Sequence, residues 1–279
     1  MNPFSYILKL NQLPDNLIDE ICCLQDECKK LDDADFYIYL DKDDDFFDEI
    51  KCFHLFYTEH VLAGFLSFYI QDETSVCISG CVLPEYRGRH IFTRLFQSAL
   101  EELSSYPELL KGIEFHLPDI DSDAFVPAIH FLNKNSLKLH HQEFLLNYDL
   151  TKRTEYYVPH DIYTEYDEHD NEFTIWLDNT YVGGCSIYFS EDFDHIHTSD
   201  SDSSIHGCAT IYDYEILPEY RGKGYGKAGL MSILNDLQKL NFHHTILHVS
   251  GLNKKAHSMY ISCGFTVQSS FSVYNSLCS

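Results

Sequence analysis

The 279-residue sequence is poor in basic residues: 19 lysines and arginines stand against 44 aspartates and glutamates, a formal net charge of −25. A protein that binds duplex nucleic acid needs a basic face, so this balance argues against such a partner. No stretch approaches the ~18 uncharged apolar residues of a transmembrane helix. The first ten residues lack the basic segment and apolar core of a signal peptide, so we expect a cytoplasmic protein without a membrane partner.

Paired C-x-x-C units are also missing, although the chain has ten cysteines. Structural zinc sites use such pairs, so no metal is expected. A chain of this size without a signal peptide does not need disulfides, and we expect reduced, mostly buried thiols. Two acidic stretches, 41–45 and 191–206, are predicted to be solvated loops. The second contains imidazole and carboxylate groups that suit a divalent cation, but its serine and aspartate content favours a mobile loop.

An internal repeat divides the chain into two domains. Residues 82–89 read Val-Leu-Pro-Glu-Tyr-Arg-Gly-Arg, and residues 216–223 read Ile-Leu-Pro-Glu-Tyr-Arg-Gly-Lys. The copies are a domain length apart, so the repeat unit is a domain and not a solenoid turn. The boundary falls near 149–154, which predicts domains at 1–150 and 151–279.

The same order of elements surrounds each copy. Runs rich in aromatic and β-branched residues predict strands before it, and an apolar stripe at helical spacing predicts a helix after it. The first domain is predicted to contain strands at 6–10, 52–57, 61–70, 75–83, 112–117 and 137–149, with helices at 14–31, 91–103 and 124–133. The second is predicted to contain strands at 172–177, 181–189, 208–217, 245–249 and 265–274, with helices at 226–240 and 254–262.

The second copy continues into a glycine-rich basic loop between a strand and a helix. Glycines let successive backbone N–H groups converge on an anion, and the following helix adds partial positive charge at its N-terminus. The loop alternates three glycines, Gly222, Gly224 and Gly226, with three basic side chains, Arg221, Lys223 and Lys227. This pattern predicts a cradle for a pyrophosphate.

Two familiar phosphate motifs do not fit this loop. A Walker A loop needs serine or threonine after its lysine, whereas Ala228 follows Lys227. A dinucleotide fingerprint is formally present as Gly224-x-Gly226-x-x-Gly229, but it does not follow directly after the strand and lacks the later acidic partner. We interpret that match as accidental, which leaves a different pyrophosphate-bearing carrier.

The run Arg221-x-x-Gly224-x-Gly226, after a strand and Pro-Glu-Tyr, resembles the acetyl-CoA loop of the GNAT superfamily of N-acetyltransferases. The segment 247–265 resembles the second signature of that family, with Asn, Ala, Tyr and Gly-Phe at the family's intervals. The resemblance implies two tandem α/β domains, each a mixed, largely antiparallel sheet flanked by helices. It implies acetyl-CoA as co-substrate, and a second domain that lacks the usual front helices.

The resemblance also implies roles for individual residues. Main-chain groups of Ile216 and Leu217 pair with the pantetheine arm, and Asn253 bonds the same arm. The pyrophosphate is held by the loop amides of Gly222, Lys223, Gly224, Tyr225, Gly226 and Lys227, beside Arg221. Tyr260 donates to the sulfur, and a phenol with a pKa of ~10 is protonated at pH 7.

The general base is left open between two residues. Glu215 ends the strand before the loop, and His248 lies on the next strand. Either can accept a proton from the amine, and either can equally be a solvated side chain. Strand alternation places Asp213 and Glu215 on the face opposite Tyr212 and Tyr214.

The first copy has a degraded version of the site. His90 and Phe92 replace the two motif glycines, Phe125 replaces the asparagine, and Leu132 replaces the tyrosine. We therefore expect the first domain to be non-catalytic. The whole chain is interpreted as an acetyl-CoA-dependent N-acetyltransferase that acts by direct transfer on a primary amine of a cationic small molecule or peptide. The alternative is a non-catalytic sensor that binds CoA or an acyl-CoA.

Overall fold

The structure is a computed structural model that describes residues 4–34, 36–40, 49–72, 74–118, 125–152, 158–159, 161–190 and 206–276. The acidic stretch 41–45 and residues 191–205 of the second stretch lie outside the described residues. The chain forms two compact units, Met1–His141 with Phe271–Ser279, and Gln142–Ser270. Among the described helices, none combines the length and hydropathy needed to cross a bilayer.

The first unit is a sheet with helices packed on it. Its strands are β1 (Ser5–Leu10), β2 (Phe53–Thr58), β3 (Val61–Asp72), β4 (Ser75–Val82) and β5 (Gly112–Pro118), and its helices are α1 (Asp15–Asp32), α2 (Ile91–Leu103) and α3 (Val126–Lys134). Neighbouring strands are antiparallel except β4 and β5. Helix α2 buries a stripe at i, i+4 spacing, Ile91, Leu95, Ala99 and Leu103, and this stripe anchors the helix in the core.

The second unit repeats this plan. Its strands are β6 (Lys138–Asp149), β7 (Ile162–Asp167), β8 (Glu172–Leu177), β9 (Thr180–Ser190), β10 (His206–Ile216) and β11 (Phe242–Ser250), and its helices are α4 (Tyr225–Lys239) and α5 (Lys254–Ser262). A last strand, β12 (Thr266–Asn275), begins in the second unit and ends in the first. The strand order of the second unit is β6-β11-β10-β9-β8-β7. Strand β7 leads into β8 through residues 168–171, whereas α1 lies between β1 and β2 in the first unit.

The last strand of each repeat completes the sheet of the other repeat's unit. Strand β6 runs antiparallel to β11, with Glu143 opposite Ser250 and Asp149 opposite His244. The end of β12 runs antiparallel to β5, with Phe271 opposite Pro118. The sequence boundary at 150/151 therefore separates β6 from the unit that it completes, because chain order does not reveal an exchange of strands.

The parallel strand pair separates toward the repeated loop in each unit. In the second unit the pairing of β10 with β11 ends at Ile211 opposite Leu247, although both strands continue. A bulge between Tyr212 and Glu215 contributes to this separation, and Asp213 has a left-handed φ of 53°. The bulge interrupts the alternation of side chains along β10. The prediction that Asp213 and Glu215 share one face, opposite Tyr212 and Tyr214, is therefore wrong.

The cysteines of the described residues are free thiols, as the sequence predicts. Seven of them are buried: Cys28, Cys52, Cys77, Cys81, Cys185, Cys208 and Cys263. The predicted strands and helices are also present, with ends that shift by a few residues. Strand β7 is an addition that the sequence analysis did not predict.

Candidate functional site

The glycine-rich loop of the second unit presents open backbone at the start of α4. Gly222 and Gly224 have left-handed φ values of 76° and 89°, which glycine adopts without strain. A Cβ at either position would meet nothing within 4 Å, so the space above the loop is free. Gly224 caps α4 without a side-chain acceptor, so N–H groups of the first turn are available to an anion.

The next two glycines of the segment serve close packing. A Cβ on Gly226 would lie 3.2 Å from Met259 Sδ, so glycine lets α4 approach α5. A Cβ on Gly229 would lie 2.7 Å from Ile175 Cδ1, so this glycine seats α4 on β8.

Arg221 connects the start of the loop to the end of β10. Its Nε donates a 2.5 Å hydrogen bond to Ile216 O, and its Nη2 lies 3.8 Å from Glu215 Oε2. The Leu217 N–H donates to Val182 O at 2.9 Å. The resemblance implied that the main chains of Ile216 and Leu217 bind the pantetheine arm. In the structure, the Ile216 carbonyl already accepts one hydrogen bond and the Leu217 N–H already donates one.

The two loop lysines also have partners within the protein. Lys223 Nζ donates to Glu219 O at 3.0 Å, and Lys227 Nζ donates to Ser262 O at 3.1 Å. The ring of Tyr225 lies 6.5 Å from that of Tyr220, between centroids. The anion-binding groups that remain open are consequently backbone amides, with the lysine charges close by.

Tyr260 lies on α5 and is 6% exposed. Its ring centroid is 5.8 Å from that of Phe265 and 6.3 Å from that of Tyr214. Burial, followed by the nearby thiols Cys185 and Cys263, raises the pKa of Tyr260 to about 12. The hydroxyl therefore keeps its proton across the physiological range and is available there as a hydrogen-bond donor or acid.

Tyr214 ties the bulge of β10 to α4, a contact that sequence reasoning missed. Its hydroxyl donates a 2.5 Å hydrogen bond to Gly226 O, and burial raises its pKa well above the ordinary value. A comparison of the two repeats could have pointed to Tyr214. The first copy, whose site is degraded, has Gly80 at the corresponding position and has no hydroxyl to form this hydrogen bond.

Both candidates for the general base are accessible. The Glu215 side chain is 61% exposed, and His248 is exposed on β11. They follow Ile211 and Leu247, the last paired residues of β10 and β11, so both lie on the separated ends of these strands. The two candidate bases thus lie on the exposed, separated ends of β10 and β11.

Asn253 stabilises α5, in addition to the binding of the pantetheine arm that the resemblance implies. It caps α5, and its Oδ1 accepts a 3.2 Å hydrogen bond from the Ala256 N–H. The cap occupies the carbonyl oxygen of the side chain and leaves the amide donor for another partner.

We expect Asn253→Ala to lower the free energy of unfolding by about 1 kcal/mol, because the helix loses its cap. Asn253→Asp keeps an acceptor at that position but removes the amide donor, so thermal stability is retained. If Asn253 also binds the cofactor, the Asp variant binds acetyl-CoA more weakly despite a wild-type melting curve. Equal acetyl-CoA affinity in Asn253→Asp and wild type would restrict Asn253 to capping.

The corresponding loop of the first unit keeps the backbone shape, but larger side chains replace two of its glycines. Gly88 and His90 have left-handed φ values of 74° and 59°, close to the pattern of the second loop. Phe92, at the position of Gly226, stacks edge-to-face on Phe131 with 5.1 Å between centroids. Arg87, at the position of Arg221, forms two hydrogen bonds to Asp32, of 2.6 and 2.8 Å.

These features agree with comparisons to known proteins. The acetyltransferase (GNAT) family model matches residues 18–136 and 138–265. The chain therefore belongs to the GNAT family and carries two tandem copies of its fold, as the motifs predicted. Acetyl transfer, with acetyl-CoA as the donor, is the general activity of that family. No curated protein matches the chain significantly.

Similar solved structures support the same fold at low sequence identity. A GCN5-related N-acetyltransferase from Sphaerobacter thermophilus is 11% identical with a TM-score of 0.68, over 97% of this chain and 95% of that one. A tandem GNAT protein from the clavulanic acid biosynthesis pathway is 10% identical with a TM-score of 0.60, over 98% of both chains. A glucosamine N-acetyltransferase region of a fungal multi-domain β-N-acetylglucosaminidase is 15% identical with a TM-score of 0.68, over 99% of this chain and 38% of that one.

Within the described part of the chain, no group of three or more His, Cys, Asp or Glu side chains could hold a metal ion. The acidic segment 191–206, considered in the sequence analysis as a cation site and predicted to be a loop, lies outside the described residues except for His206.

Proposed function

We propose that the second unit transfers an acetyl group from acetyl-CoA directly to the primary amine of a small molecule or peptide. The observation that carries this proposal is the open backbone cradle at Gly222 and Gly224, where a Cβ would meet nothing within 4 Å. Uncapped N–H groups at the start of α4 suit a pyrophosphate, the anionic part of CoA. The first unit, whose loop contains His90 and Phe92, is proposed to be non-catalytic.

Direct transfer needs a base, a polarised carbonyl and a stabilised leaving group. The amine nitrogen attacks the thioester carbonyl carbon, a C–N bond forms, and the C–S bond breaks to release the thiolate. An alkyl amine has a pKa of ~10, so it must lose a proton to Glu215 or His248 before it attacks. Tyr260 donates a hydrogen bond to the sulfur as its negative charge develops.

The acidic charge of the chain supports a cationic acceptor. A net charge of −25 attracts protonated amines and repels nucleic acid. Direct transfer keeps the acceptor and acetyl-CoA on the enzyme together, so a small molecule or a flexible peptide end fits better than a buried lysine of a folded protein.

The test is a calorimetric titration of acetyl-CoA into wild type and two matched variants. Gly224→Asp places a carboxylate beside the pyrophosphate. Two unit charges about 5 Å apart repel by roughly 3 kcal/mol at an effective dielectric of 20, so affinity falls on the order of 100-fold. His90→Asp makes the matched change in the first loop and is expected to leave affinity and a stoichiometry of one unchanged.

Release of free thiol in the presence of a panel of amines separates an enzyme from the alternative, a non-catalytic CoA or acyl-CoA sensor. Binding with turnover on at least one amine supports the enzyme. Binding at the second loop without turnover on any amine favours the sensor. Acetyl-CoA binding that is unaffected by Gly224→Asp would place the CoA site elsewhere and overturn the proposal.

A further inference from the structure

A cavity of about 470 Å³ opens in the first unit where β4 and β5 separate. The pairing of these strands ends at Ile78 opposite Phe115, although β4 continues to Val82 and β5 to Pro118. Helix α2 closes one side of the gap through its first turn, and α3 closes another side along its length. The volume lies within the range of about 300–1,000 Å³ that is typical of small-molecule sites.

The cavity wall is rich in aromatic rings. Seven phenylalanine and tyrosine rings line it: Phe36, Tyr37, Tyr86, Phe92, Phe115, Phe125 and Phe131. Phe92 packs on Phe131 and, with 6.4 Å between centroids, on Phe115. Rings held in this way offer apolar faces and edges to another ring, and such pairs add about 0.5–1.5 kcal/mol beyond the burial of area.

The basic residues that line the cavity are Arg87, His90 and His116, and Arg89 lies nearby in the same loop. His116 Nε2 lies 3.8 Å from Glu114 Oε2, and the two arginines are also engaged. Arg87 forms the bidentate pair with Asp32 and also donates to Val82 O at 3.0 Å. Arg89 donates to Glu85 O at 2.9 Å and lies 5.1 Å from the centroid of the Tyr86 ring. Helix α2 begins at His90 without a side-chain cap and so offers N–H groups as α4 does. The Asp32 carboxylate also lines the cavity, however, and an anion would have to displace it from Arg87 within an acidic protein, so the site disfavours phosphate and carboxylate groups.

The separated strands supply neutral hydrogen-bonding groups. Beyond Ile78 and Phe115, the main chains of β4 and β5 no longer pair with each other across the gap. Their N–H and C=O groups on this side can bind one amide, amine or carbonyl of a ligand in the gap. The wall thus combines an aromatic enclosure with a few uncharged polar groups.

We propose that this cavity binds a neutral aromatic molecule with one uncharged hydrogen-bonding group, and that it does not bind CoA. This site is independent of the acetyl-CoA loop of the second unit. Its occupant is defined by the aromatic wall, the paired Asp32 and Arg87 charges, and the strand edges.

The test uses two fluorescent probes that differ by one sulfonate, N-phenyl-1-naphthylamine and 8-anilino-1-naphthalenesulfonate, with the full-length protein. We expect saturable binding of the neutral probe at one site, and at least tenfold weaker binding of the anionic probe. Saturating acetyl-CoA is expected to leave the neutral probe bound.

Two variants fill the cavity from different sides. Ala128→Phe adds a ring from α3, and Thr93→Trp adds one from an exposed position on α2 that also lines the cavity. Each should weaken binding of the neutral probe at least tenfold with an unchanged melting curve. Ala256 is the third residue of α5, as Ala128 is of α3, and the matched change Ala256→Phe should leave that binding intact.

Three results would overturn the proposal. Equal probe affinity in wild type, Ala128→Phe and Thr93→Trp would place the probe elsewhere. Equal binding of the neutral and anionic probes would refute the preference for an uncharged ligand. Displacement of the probe by acetyl-CoA in the Gly224→Asp variant would identify the cavity as a CoA site.

Discussion

The fragment 142–270 is expected to fold on its own, whereas 151–279, a fragment of the same length, is expected to remain unfolded. The decisive difference is that the second fragment lacks β6, which pairs with β11 inside the second unit. It also loses three side chains of that core, Leu146, Tyr148 and Leu150, which are 0%, 5% and 1% exposed.

The expected loss is comparable to the whole stability of a domain. Burial of a large apolar side chain contributes roughly 1.5–3 kcal/mol, and domains are stable by only about 5–15 kcal/mol. Removal of β6 also exposes the edge of β11 to aggregation. Thermal unfolding followed by circular dichroism should show a cooperative transition for 142–270 alone. A cooperative transition of 151–279 at the same temperature would show that β6 is dispensable.

Tyr260→Phe is expected to lower kcat about 10²–10³-fold with little change in the KM for acetyl-CoA, as for loss of one donor to developing charge. The substitution removes only the hydroxyl from a buried ring, so the packing with Phe265 is retained. The measurement is steady-state kinetics with an amine from the screen, over a range of acetyl-CoA concentrations.

The pH dependence gives a second readout. Because burial raises the pKa of Tyr260 to about 12, the hydroxyl stays protonated throughout an assay range of about pH 6–10. Its ionisation would remove the donor only as the pH rises toward 12. Wild type and Tyr260→Phe should therefore have pH profiles of the same shape, separated by a constant factor.

Tyr214→Phe is the matched control for Tyr260→Phe. It removes a neighbouring tyrosine hydroxyl whose hydrogen bond goes to Gly226 O and not to the reacting atoms. We expect a higher KM for acetyl-CoA, because the loop is less firmly held, and a kcat within a fewfold of wild type. Equal losses of kcat in both variants would contradict a special role for Tyr260.

Local patterns were sufficient to predict most of the fold. Aromatic and β-branched runs marked the strands, and the stripe on α2 marked a helix, because side-chain periodicity records which face is buried. The loop could be predicted in the same way. Gly222 and Gly224 have left-handed φ values, which favour glycine, and the glycines are visible in the sequence.

Features that depend on distant parts of the chain could not be predicted. The exchange of β6 and β12 joins strands that no local pattern relates. The bulge at Asp213 overrides the alternation on which the assignment of strand faces relied. The hydrogen bond of Lys227 to Ser262 O, and the pair of Arg87 with Asp32, depend on where neighbouring helices end in space.

The exchanged strands also set an order of events during translation. The second unit has all of its residues once Ser270 has been added, but the first unit still lacks Phe271–Asn275, the partner of β5. At roughly 5–20 residues per second, the ribosome needs on the order of ten seconds between His141 and Phe271. During that time the edge of β5 is an unprotected template for strands of other nascent chains. A chaperone that shields strand edges would therefore improve the yield of the first unit more than that of the second.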